Sequence, residues 1–103
     1  MFYNYVLDDD GNFINAEAFR QAVEMHLEIN FTLNGKKWLL EPASDEKDWF
    51  ILTDLSDLDH PVFINSVDKV LNYRIGGKAL RDSLQDMSDI DCWPYMLRSN
   101  EIA

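Results

Sequence analysis

Phe31-Thr32-Leu33-Asn34-Gly35-Lys36-Lys37-Trp38-Leu39-Leu40 carries the clearest local signal in the chain. Two runs rich in branched, aromatic and aliphatic residues flank an Asn-Gly pair. Such a pair favours a two-residue hairpin turn with both residues at positive φ, whose twist matches that of the strands it joins. Pro42 ends the second run, because proline cannot donate to a strand ladder. Ala43 to Asp48 reads as a polar loop and Trp49-Phe50-Ile51-Leu52-Thr53 as a third, buried strand. Residues 54–60 form an acidic loop. Pro61 to Asn65 read as a fourth strand, at an edge where proline is tolerated.

Upstream, residues 2–7 suit a strand. Asp9-Asp10-Gly11-Asn12 signals a turn, and Phe13-Ile14 a short return strand. Asn15 offers an N-cap, with Glu17 facing the helix dipole. Phe19, Ala22, Val23, His26 and Leu27 recur at helical spacing, which predicts one helix from Ala16 to Ile29. Downstream, Ser66 caps a short helix that turns Val67, Val70 and Leu71 inward. Gly76-Gly77 interrupts the pattern. Ala79 to Met87 reads as a last helix, with Leu80, Leu84 and Met87 on one side. The expected architecture is α+β: a small antiparallel sheet of three or four strands, packed by an N-terminal helix and C-terminal helices. Residues 1–103 form a single domain, with a docking tail at 90–103 that is too aromatic for plain disorder (Trp93, Tyr95, Met96 and Leu97).

Composition bounds the function. A chain of 103 residues holds one core. With 47% hydrophobic and 27% charged residues, it is neither disordered nor fibrous. Nineteen acids against nine Lys and Arg give a net charge of −10. That field repels phosphate backbones and anionic lipid, so direct nucleic-acid or membrane binding is disfavoured and a basic protein partner is favoured. Cys92 stands alone, excluding an internal disulfide. The N-terminal run has no basic n-region and no apolar stretch of signal-peptide length. The expected compartment is therefore the cytoplasm, and the expected state a monomer or homodimer.

No motif carries catalysis. Asp8, Asp10, Gly11, Asn12 and Glu17 resemble part of an EF-hand loop, but Val6 stands where the first carboxylate belongs, so no metal site is expected. His60 lies among Asp57, Asp59 and Pro61 without a nucleophile in sequence beside it, and reads as an exposed loop histidine. His26, on the apolar stripe, reads as a core histidine bonded at one nitrogen. Asp89 and Asp91 beside Cys92 raise its thiol pKa and argue against a reactive thiolate. Gly76-Gly77-Lys78 lacks the rest of a phosphate-binding loop and reads as a turn. No cofactor is expected.

What remains is the acid. On a continuing helix Asp82, Asp86 and Asp89 would share one face, with neighbouring carboxylates roughly 6 Å apart, comparable to successive phosphates. Glu24 and Glu28 make a second such pair. Asp54, Asp57 and Asp59 gather in the central loop, and Asp91 follows the last helix. Size, charge, these acidic segments and the lack of catalytic residues resemble the small acidic inhibitor proteins of phages and other mobile elements, of the anti-CRISPR kind. The resemblance implies a non-enzymatic inhibitor or adaptor whose acidic surface engages a basic nucleic-acid-handling protein, by mimicking nucleic acid. The expected contacts are Asp54, Asp57, Asp59, Asp82, Asp86, Asp89 and Asp91, with Trp93 and Tyr95 as aromatic anchors. The alternative is an immunity protein or general interaction module that binds through the aromatic C-terminal segment.

Overall fold

A computed structural model describes residues 6–43 and 47–94. The hairpin forms as its turn chemistry dictates. β1 (Leu27–Leu33) and β2 (Lys36–Pro42) pair antiparallel with Leu33 opposite Lys36. Between them Asn34 and Gly35 both take positive φ, 54° and 74°. β3 (Phe50–Asp54) and β4 (Val62–Ile64) continue the meander. A fifth strand, β7 (Ser88–Pro94), then returns to the free edge of β1, giving the order β4-β3-β2-β1-β7. The architecture is α+β.

α1 (Ala16–Glu24) begins where the Asn15 side chain accepts a hydrogen bond from the Ala18 amide at 2.8 Å. Its Phe19, Ala22 and Val23 are buried, as their spacing requires. α2 (Val67–Asn72) is capped the same way, Ser66 Oγ accepting from the Lys69 amide at 3.1 Å. Val67, Val70 and Leu71 are buried. A minimal hairpin, β5 (Arg74–Ile75) and β6 (Lys78–Ala79), turns at Gly76-Gly77. One face of the sheet, carrying Leu27, Ile29, Phe31, Leu33, Leu40, Phe50, Leu52, Ile64 and Cys92, forms the core together with both helices.

Three expectations are corrected. The first helix stops at Glu24, not Ile29: Met25 caps it and His26 turns the chain at φ 58°. Leu27-Glu28-Ile29-Asn30-Phe31-Thr32-Leu33 alternates apolar and polar residues, and that period-two pattern wins over the helical one. The expected helix Ala79–Met87 is instead two 3₁₀ turns, Leu80–Asp82 and Leu84–Asp86. Leu80, Leu84 and Met87 are buried as anticipated, but the Ser83 hydroxyl bonds back to the Ala79 carbonyl at 2.8 Å. The backbone closes i to i+3 contacts instead, Ser83 to Leu80 and Asp86 to Ser83. Finally, the start of the expected tail is β7 itself. At the N-terminus Leu7 and Phe13 form an antiparallel bridge of the expected strand pair, and residues 2–5 lie outside the described residues.

Candidate functional site

The acids expected to act together do not form the single helical row their spacing suggests, and several are already engaged. Asp54 ends β3 and accepts from the Ser56 amide at 2.9 Å and its hydroxyl at 2.6 Å, with Lys36 Nζ at 3.2 Å. The Ser56 bonds and then Lys36 hold its pKa below the ordinary carboxylate range. It is a turn-closing residue. In the loop that follows, exposed Asp57 accepts from His60 Nδ1 at 2.8 Å, which raises the histidine pKa. Asp59 is exposed there too. Asp82 and Asp86 end the two 3₁₀ turns, and Asp86 is ion-paired to Lys78 at 3.0 Å. The helical row Asp82–Asp86–Asp89 does not exist, because the chain changes from 3₁₀ turns to strand between Asp86 and Ser88. Glu24 and Glu28 are likewise separated by the exit from α1.

What the fold does bring together lies on β7. Asp89 stands at φ 52° in a bulge: Asn30 pairs with Asp91 and Thr32 with Ser88, leaving two β7 residues against one of β1. Its carboxylate accepts from Thr32 Oγ1 at 3.3 Å. Asp91 and Trp93 follow on the outer face, opposite Asn30 and Glu28, while Cys92 points into the core. The Trp93 indole N–H donates to Asp91 Oδ2 at 2.6 Å, which fixes an aromatic ring against a carboxylate. Asp91 is diagonal to Glu28, a relationship of about 7–8 Å in antiparallel pairs. Asp89 and Asp91 border a hollow of about 270 Å³ on this face, with Asn30, Thr32, Lys37 and Leu55. None of the outer-face residues Glu28, Asn30, Thr32, Leu39, Glu41, Ile51, Asp91 and Trp93 belongs to the buried core. Tyr95 lies outside the described residues.

Other candidate chemistry resolves into structure. Asp8 Oδ1 accepts from the amides of Asp10 at 2.9 Å and Asn12 at 3.0 Å, closing its own turn. Among the described residues no three of His, Cys, Asp and Glu converge as metal ligands. His26 is half-buried at the helix exit, with Nε2 3.1 Å from Asp48 Oδ1 and its ring edge-on to Phe50. Among the described residues no hydroxyl or thiol bonds either histidine. Cys92 is buried, its pKa pushed up to about 12 by burial and then by the charge of Asp91.

Sequence reasoning missed a second surface at the opposite edge of the sheet. There Trp49, Phe63, Val62, Ile64, Lys69 and Tyr73 help line a groove of about 670 Å³ between β4 and α2. Phe63 is 73% exposed and Trp49 51% exposed. The signal was an apolar pair on a short strand behind Pro61, easily read as edge packing. Among the described residues, no helix is long and apolar enough to cross a membrane. The chain matches no known protein family, no curated protein and no solved structure.

Proposed function

We propose that this protein is a non-enzymatic inhibitor or adaptor that binds a basic, nucleic-acid-handling protein. The outer side of β7, with Asp89, Asp91 and Trp93, is the contact. One observation carries the reading: Asp91 and Trp93 are joined by a 2.6 Å hydrogen bond on a sheet edge, on the face away from the core. An acid beside an oriented indole is suited to a Lys or Arg side chain, which gains a charge partner and an aromatic surface together. The net charge of −10 speeds the approach of a basic partner. Carboxylates on strand and bulge, rather than a helical row, make the acidic face.

The test is capture from a bacterial lysate at low and physiological salt, followed by competition with nucleic acid for the captured protein. Three folded chains are compared: wild type, Asp89→Lys with Asp91→Lys, and Trp93→Ala. The double Lys variant is expected to lose capture and competition. Trp93→Ala is expected to weaken the binding that survives added salt, because buried aromatics anchor interfaces while charges steer. A double Lys variant that still captures and competes at physiological salt would overturn the proposal.

A further inference from the structure

We propose that the free edge of β4 takes up an extended acidic and apolar segment of a partner protein as an added strand. This surface lies at the far side of the sheet from β7 and stands or falls independently of it. The two edges are built differently. β7 carries a bulge, a positive-φ Asp89 and outward acids, all devices that discourage another strand from pairing. β4 carries none of these over Val62-Phe63-Ile64, and Pro61 limits the edge at one end only. Among the described residues, no strand faces its outer backbone groups.

Beside that edge runs the groove between β4 and α2. Its walls include Phe50, Val62, Ile64 and Tyr73, and exposed Phe63 and Trp49 enlarge the apolar surface. The volume of about 670 Å³ accommodates apolar side chains from an extended peptide. Charge selects the peptide. Among the described lining residues Lys69 is a cation and none is an acid. The Lys69 ammonium is bonded to the neutral Asn65 side chain at 3.0 Å, whereas Arg20, Lys36 and Lys78 are paired with carboxylates. Lys47 lies 5.1 Å from the centre of the Trp49 ring, adding a second cation near the groove. In a chain of net charge −10, an apolar groove rimmed by lysine favours a carboxylate beside apolar side chains. The acids nearest in sequence, Asp68 and Asp48, are engaged by Arg20 and His26, and at physiological ionic strength charges beyond roughly 8 Å are screened, so the local lysines govern the contact. A three-residue edge offers few backbone bonds, so the groove must supply specificity, as in other strand-addition sites.

A phage-displayed random peptide library panned on the intact chain tests this. Panning is repeated on a Phe63→Ser/Lys69→Glu variant whose fold is checked by circular dichroism. Peptides enriched on the wild type and not on the variant are expected to alternate apolar and acidic residues. A synthetic copy is expected to shift amide resonances of β4 and α2, to bind about tenfold more weakly to Lys69→Glu, and to lose binding when its backbone is N-methylated at alternate positions. The proposal is overturned by no enrichment over the variant, by enriched peptides lacking acids, or by shifts elsewhere. It is overturned equally by binding indifferent to N-methylation, or by sedimentation showing that a second copy of this chain fills the edge.

Discussion

The side-chain amide of Asn34 occupies the space in which residue 76 would carry a Cβ. Gly76 stands at φ 63°, so the tip of the β5–β6 hairpin rests on the tip of the β1–β2 hairpin. Gly35 also stands at positive φ but has open space around it. Gly35→Ala is therefore expected to cost only the left-handed backbone penalty, about 1–2 kcal/mol. Gly76→Ala is expected to cost more, since Asn34 must also move. Urea melts of the two variants measure the difference, and equal costs would show that the Asn34 side chain swings aside freely.

Asn15 supplies the side-chain oxygen that satisfies the Ala18 amide at the start of α1. Asn15→Ala is expected to lower stability by about 1 kcal/mol, and Asn15→Asp or Asn15→Ser to retain most of it. Thermal or urea unfolding checks the ranking. A neutral Ala variant would mean that the cap contributes nothing.

The Asp57 carboxylate beside the His60 ring raises the histidine pKa above its ordinary value of about 6.5. A folded-state pKa above the unfolded one means that the pair contributes fully below the unfolded value. That contribution is lost as pH rises through the folded value. NMR titration is expected to show His60 titrating above the unfolded chain, and Asp57→Asn to bring it back down. Asp54 behaves oppositely: its lowered pKa gives a contribution present above the ordinary aspartate value, lost as pH falls through the folded one. Asp54→Asn is expected to flatten the acid side of the stability profile.

Cys92 is buried and its pKa is pushed up to about 12. At neutral pH the folded protein is expected to resist alkylation, with a rate that follows the fraction unfolded as urea is added. Rapid labelling of the native chain in dilute buffer would show that β7 opens readily from β1.

The hairpin, the meander and both helix caps were legible because each rests on a local signal: Asn34-Gly35, Pro42, Asn15 and Ser66. The alternation from Leu27 to Leu33 was legible too, but Val23, His26 and Leu27 also satisfy helical spacing. The contest was decided at His26, where the chain turns at positive φ. Leu80, Leu84 and Met87 fit one helical face and fit two 3₁₀ turns equally well; Ser83 bonding back to Ala79 is a detail that spacing does not encode. The candidate site was half legible. Asp89, Asp91 and Trp93 stood out as acid and aromatic. Their meeting on one edge depends on β7 pairing with β1, a long-range event with no local sequence signature. The β4 groove was illegible for the same reason, since Lys69 reaches it from α2 and Tyr73 from the end of that helix.

Synthesis runs from the N-terminus, so β1 is made well before the strand that covers its second edge. In that interval α1 and the β1–β4 meander can assemble from pairings between successive segments. The outer edge of Leu27–Leu33, with its alternating apolar residues, stays open as a template for other chains. Ser88–Pro94 then closes it through pairing with a strand distant in sequence, the slow class of folding event. A chain lacking Ser88–Pro94 therefore keeps this edge open, and β7 acts as the seal that ends the exposure.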